Sequence, residues 1–227
     1  NSSKGQAVRA TRAQTDRALY KKAIQGFLKN YKNLSVLEDE VEDLLITKGR
    51  AGGILTKKKN KIKAECVILT AGTFLGGVMH TGLKQEDGGR AGAEASNNLA
   101  KRLRSLPLEV GRMKTGTPPR IDGSSINWNK TTAQSGDTPR PVMSFAGKTE
   151  DHPKQVNCYI TRTNENTHRI IKGALAESPL YTGVIKGIGP RYCPSIEDKV
   201  VRYSGKDSHQ IFLEPEGLDT DLVYPNG

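Results

Sequence analysis

The tightest constraint this chain places on its own folding is a proline-locked loop near its end. Gly189, Pro190, Arg191, Tyr192, Cys193, Pro194, Ser195, Ile196, Glu197, Asp198, Lys199, Val200, Val201, Arg202 and Tyr203 follow one another without a break. Proline fixes its own φ and excludes helix at the residue before it, so Arg191, Tyr192 and Cys193 are held stiffly between two prolines. Beyond Pro194, Ile196, Val200 and Tyr203 recur among charged residues, the pattern of a half-buried element beginning there. Arg191 and Lys199 flank the thiol, and neighbouring cations favour the thiolate, the form that acts as nucleophile or base. A lone cysteine is more often a packing residue than a chemical one, so the local sequence leaves both roles open for Cys193.

The length of 227 residues allows one large domain or two small ones. Cys66, Cys158 and Cys193 form no CxxC pair and no disulfide framework, which fits a reducing compartment. His80, His152, His168 and His209 lack metal-ligand spacing, so no structural zinc is expected. No apolar run is long enough for a membrane-spanning helix. The chain opens on Asn1 without methionine and ends on a turn, and it reads as an internal piece of a longer protein. A net charge of +11 favours a polyanionic partner, nucleic acid first. Aromatics at 5% do not supply a base-stacking surface.

Helical spacing runs from about residue 11 to residue 30, with Leu19, Tyr20, Ala23, Ile24, Phe27 and Leu28 on one stripe. Lys4, Arg9, Arg12 and Arg17 cluster before it or at its start. Cations there oppose the helix macrodipole; an anionic partner, with RNA the candidate, or a merely solvated basic face accounts for them. Two short strands are expected over 34–47, then a turn over Lys48-Gly49-Arg50-Ala51-Gly52-Gly53, another strand beginning at Ile54-Leu55, and an exposed hairpin tip in the lysine run from Lys57. Val67–Leu69 reads as a buried parallel strand with Cys66 in the core, ending in Thr70-Ala71-Gly72-Thr73, where the glycine admits a ligand to the backbone. Gly88-Gly89-Arg90-Ala91-Gly92 is a glycine-rich loop ahead of a helix over 96–106. Arg112, Lys114 and Arg120 surround a stiff Thr-Gly-Thr-Pro-Pro turn suited to a phosphate or carboxylate. Residues 123–155 are irregular; a strand at 156–161 leads to a helix over 164–176 capped by Thr163 or Asn164. A last strand covers 209–214, and Pro215 begins the exit.

The stretch Gly189–Tyr203 resembles the signature of the GidA/MnmG family of flavin-dependent tRNA-modifying enzymes. Residues 1–17, 111–122 and 211–217 resemble it too, in register along the whole chain. The resemblance implies an α/β protein, part of a glutathione-reductase-like, Rossmann-type FAD-binding domain with an inserted, mainly β second domain. On that basis 1–112 belongs to the FAD domain, 113–214 to the inserted NAD- and substrate-side domain, and 215–227 returns to the first. It implies FAD contacts at Val41, Gly72, Thr73 and Ser96, NAD binding across Gly189–Tyr203, and an essential cysteine at Cys193, as nucleophile or proton carrier. It implies an enzyme that uses FAD, NADH and methylene-tetrahydrofolate to place an aminomethyl or carboxymethylaminomethyl group on carbon 5 of the wobble uridine of tRNA. The implied setting is cytoplasmic, with the GTPase MnmE as partner and a homodimeric whole protein. The family's opening GxGxxG strand has no counterpart here, so weak FAD binding by this piece alone is expected. The alternatives are a folate- and FAD-dependent tRNA uridine methyltransferase and a non-catalytic basic RNA-binding module.

Overall fold

The computed structural model describes residues 5–8, 10–185, 187 and 195–227. In chain order the elements are α1 (Arg17–Lys29), β1 (Val41–Thr47), β2 (Arg50–Thr56), β3 (Lys61–Lys63), β4 (Val78–Thr81), β5 (Lys84–Asp87) and α2 (Asn97–Arg104). They continue as β6 (Ile121–Asp122), β7 (Thr132–Gln134), β8 (Cys158–Arg162), α3 (Glu165–Gly173), α4 (Ile196–Arg202), β9 (Gln210–Pro215) and β10 (Leu222–Asn226). The chain divides into two compact units, one of Asn1–Leu34, Gly116–Lys172 and Cys193–Gly227, the other of Ser35–Thr115 and Gly173–Tyr192.

The unit holding β1 to β5 contains an antiparallel sheet in the order β1-β2-β3 and the separate β4–β5 hairpin. Lys48 and Gly49 both have positive φ, the geometry of a two-residue hairpin turn whose twist matches the strands it joins. Gly53 is required for a different reason: a Cβ there would lie 2.1 Å from the Ile62 carbonyl oxygen, so only glycine lets β2 and β3 close. The lysine run forms the exposed tip between them. Lys57 pairs with Glu40 at 3.0 Å and Lys59 with Glu42 at 2.6 Å. α2 lies along β1, where Arg102 meets Asp43 at 3.0 Å.

The other unit is built on a five-stranded antiparallel sheet in the order β6-β10-β9-β8-β7. Leu213 on β9, Val223 on β10 and Val200 on α4 are buried in it. β9 is central, so both of its edges are paired and its inward side chains are the most enclosed.

The structure is α/β, as the sequence implies, but every ladder among the described residues is antiparallel. The expected buried parallel strand at Val67–Leu69 is absent, and Ile68 is 86% exposed. A parallel strand needs a neighbour to bond its amides, and none of the described strands pairs with this segment. Cys66 is correspondingly exposed rather than in a core. α1 begins at Arg17, not near residue 11, because Asp16 caps it by accepting from the Leu19 amide at 2.7 Å. Its apolar stripe is exposed throughout. One strand, not two, occupies 34–47, β2 begins at Arg50 inside the expected turn, and β4, β5, β6, β7 and β10 lie where the sequence predicts no strand.

Candidate functional site

Val41, Gly72, Thr73 and Ser96 all fall in the unit that contains α2. Val41 starts β1, paired with Thr56. Ser96 is the N-cap residue of α2, yet its side chain makes no capping hydrogen bond. Its backbone is tied to the 73–77 turn: the Ser96 amide donates to Phe74 O at 2.9 Å, and Gly76 N donates to Ser96 O at 3.2 Å. The Thr73 hydroxyl donates to Gly89 O at 3.0 Å. Three of the four candidates, Gly72, Thr73 and Ser96, thus sit around one clasp between two glycine-rich segments.

The clasp explains several glycines without a ligand. A Cβ on Gly77 would lie 2.5 Å from Thr73 O and 2.7 Å from Gly88 O, and one on Gly89 would meet the Phe74 ring at 2.7 Å. Gly72 differs: its φ is +59° and nothing lies within 4 Å of where a side chain would start. Arg112, expected at an anion, donates through both terminal nitrogens to Gly76 O, at 3.2 and 3.1 Å.

In the NAD segment, Gly189, Pro190, Arg191, Tyr192, Cys193 and Pro194 lie outside the described residues, as do Lys4 and Arg9. From Ser195 onward the segment is α4, opened by a capping box. The Asp198 amide donates to Ser195 Oγ at 3.1 Å and the Ser195 amide to Asp198 Oδ2 at 3.3 Å. Glu197 and Asp198 occupy the first turn and Lys199 and Arg202 the last, each sign matching the adjacent end of the helix dipole. Val200 is the anchor, at 1% exposure. Ile196, Glu197 and Lys199 are half-buried, whereas Val201, Arg202 and Tyr203 face outward.

The residues the sequence reading missed are Glu214 and Glu216. Glu214 lies on β9 and Glu216 just past its end, two residues further on, and their side chains are 3% and 7% exposed. Buried carboxylates require cations, and three arginines supply them. Arg12 meets Glu214 with two bonds, Nη1 to Oε1 at 2.8 Å and Nη2 to Oε2 at 3.0 Å. Arg17 donates to Glu216 Oε2 at 3.0 Å, and Arg120 Nε donates to Glu216 Oε1. Arg120 also lies 4.5 Å over the Tyr224 ring. Arg12, Arg17 and Arg120 thus each meet a carboxylate within the chain. The signal was available: two glutamates in the apolar run Ile211-Phe212-Leu213-Glu214-Pro215-Glu216.

These contacts set the local charge states. The hydrogen bond to Glu214 raises the Arg12 pKa against the opposing effect of burial. Burial alone would raise Glu216, but the bonds from Arg120 and Arg17 outweigh it and hold the carboxyl below its usual range. Burial, then the charge of Glu214, pushes the Cys158 thiol up, with Arg12 opposing. That environment makes Cys158 a poor nucleophile. Among the described residues no cluster of three or more His, Cys, Asp or Glu could hold a metal ion. No helix there is long and apolar enough to cross a membrane.

The family model described as glucose inhibited division protein A matches residues 1–227. Among solved structures, GidA of Aquifex aeolicus in its form I crystal is 42% identical, with a TM-score of 0.88, over 100% of this chain and 39% of that one. The form II crystal of the same protein gives 40% identity and a TM-score of 0.85, over 100% of this chain and 36% of that one. The chain thus spans less than two-fifths of the length of the proteins it resembles.

Proposed function

This chain belongs to the GidA family, and from that premise we propose that its full-length protein is an FAD- and NADH-dependent enzyme modifying carbon 5 of the wobble uridine of tRNA. The observation that carries the reading is the family match along all 227 residues, with the Gly189–Tyr203 stretch inside it. The proposed one-carbon donor is methylene-tetrahydrofolate and the proposed partner is the GTPase MnmE, with the enzyme a homodimer in the cytoplasm. The proposed fold of the whole is glutathione-reductase-like, with 1–112 and 215–227 on the FAD side and 113–214 as the insertion.

Two observations support the candidate FAD residues. The Ser96 hydroxyl makes no capping bond at the N-terminus of α2, and Gly72 leaves its own backbone uncovered. Val41 would contribute from the start of β1. When bound, FAD would supply the redox chemistry. The chain's own part is to hold it, through Val41, Gly72, Thr73 and Ser96, and to present NADH along residues 189–203. Cys193 has one of two roles. Its thiolate adds to carbon 6 of the uridine, making carbon 5 nucleophilic, or its thiol moves a proton during the substitution. Lys4, Arg9, Arg12 and Arg17 are proposed as tRNA contacts. Support for the last two is their exposure, 65% and 72%, which leaves room for phosphate beside their glutamate partners.

The test is direct. Purified full-length protein should show a flavin spectrum that bleaches with NADH, and mass spectrometry of tRNA should show the wobble uridine modified. A colourless protein that binds tRNA without modifying it would overturn the reading.

A further inference from the structure

We propose that His168 and His209 form a protonation-sensitive latch that positions α4, the described half of the candidate NAD segment. The functional consequence rests on the NAD reading above; the latch itself does not.

The two rings are each 7% exposed and are stacked, with centroids 5.2 Å apart and planes 30° from parallel. Thr163 ties them together. Its hydroxyl oxygen lies 2.8 Å from His168 Nε2 and accepts the His209 amide at 2.7 Å. The Thr163 amide donates to His209 O at 2.9 Å, which extends the β8–β9 ladder by one pair beyond Arg162–Gln210. The pair therefore sits where β8 turns into α3 and where β9 begins.

His209 Nε2 is buried with no hydrogen-bond partner. A proton added there finds no acceptor and meets cations. Lys199 on α4 and Lys206 in the turn after it both repel a charge on His209, as does His168 on α3. Tyr203, which ends α4, has its ring 6.4 Å from that of His209 and carries Lys206 5.5 Å from its own centroid. Beside His168 a hollow of about 290 Å³ is lined by Glu165, Arg169, Lys172, Ser204, Lys206 and Asp207. Glu165 and Asp207 are exposed there, and Asp198 on α4 is engaged in the capping box.

Burial first, then His168 and the two lysines, hold the His209 pKa below that of an ordinary histidine. The unfolded or released state therefore takes up the proton first as pH falls below about 6.5. The latched arrangement is fully favoured above that pH and loses ground below it. The element that yields is α4, seven residues long, whose C-cap Tyr203 stands beside the ring and whose Lys199 repels a charge on it. Thr163, by contrast, is held to His209 by its amide and its hydroxyl at the end of the β8–β9 ladder.

The experiment is hydrogen exchange of the full-length protein between pH 7.5 and 5.5, reading protection factors for the amides of 196–203. In the wild type, protection should fall by up to about tenfold per pH unit below about 6.5, the limit for one linked proton. His209→Phe keeps a stacking ring without a proton site and should make the profile flat. His209→Gln, polar and uncharged, makes the same test should the phenylalanine variant not fold. Protection independent of pH in the wild type, or the same pH dependence in a folded variant, overturns the latch. The KM for NADH, read at both pH values with bound FAD as control, separates the two ideas. A KM that rises in acid only in the wild type supports both. Loosening of α4 with an unchanged KM upholds the latch and overturns the NAD assignment.

Discussion

A buried carboxylate must find a cation, and Glu216, just past the end of β9, finds two, Arg17 and Arg120. Its pKa is held low by those bonds, so the stability they provide is fully present above the ordinary glutamate value of about 4.3 and is lost as pH falls through the folded value. Glu216→Gln should therefore destabilise the protein at neutral pH, on the order of 2 kcal/mol, since one buried and two exposed partners lose a charge-assisted contact. Melting temperatures at pH 7.5 and at pH 3.5 check this, and a gap of equal size at both would remove the ion pairs as the cause. The cysteines make the complementary test. Cys193→Ser, nearly isosteric, should keep FAD and abolish wobble-uridine modification, because a serine hydroxyl stays protonated at neutral pH. Cys66→Ala, at an exposed position, should change neither activity nor stability. Modification measured by mass spectrometry beside flavin absorbance decides it, and substantial modification by Cys193→Ser would take this thiol out of the mechanism.

Elements whose signals span two to four residues are well marked in this chain. The turn falls at Lys48-Gly49, at the start of the run 48–53 whose remaining residues belong to β2, the lysine run is the hairpin tip, and Asn164 accepts from the Thr167 amide at 2.9 Å as a cap for α3. Gly53 marks the limit of that legibility, because the reason for it is a carbonyl nine residues away. Gly53→Ala should separate β3 from β2 and lower the melting temperature well beyond Gly49→Ala. The latter meets only open space at positive φ and should cost about 1 kcal/mol. Equal losses would mean that the close approach of the strands is not what requires glycine. Ser195→Ala removes the capping box of α4 and should cost about 1 kcal/mol. It should also raise the KM for NADH if the segment holds that cofactor; an unchanged KM in a destabilised variant would argue against it.

At the scale of the molecule, the charge of +11 is the property the tRNA proposal depends on. Phosphate contacts release counterions, so affinity for tRNA should fall steeply with salt. Replacing Lys4 and Arg9 with alanine should lower affinity and flatten the salt slope. Replacing Arg12 and Arg17 should in addition lower the melting temperature, because each leaves a buried glutamate short of a partner. Filter-binding titrations over a salt series, run beside thermal melts, separate the two roles. Unchanged affinity and slope in the fourfold variant would exclude these residues from the RNA interface.

The sequence by itself determined the charge, the punctuation by turns, the composition of the helices and, through the long stretches at 1–17, 111–122, 189–203 and 211–217, the family. These are properties of single residues or of consecutive ones. Tertiary structure alone decided which anion each arginine meets, since Arg12 and Arg17 reach Glu214 and Glu216 across 202 and 199 positions. It also decided that Ile68 stays exposed, that β10 joins β9, and that His168 stacks on His209. The reason is common to all four. A strand needs a neighbour and a buried charge needs a counter-charge, and the sequence names the candidates on each side without saying which of them the fold brings together.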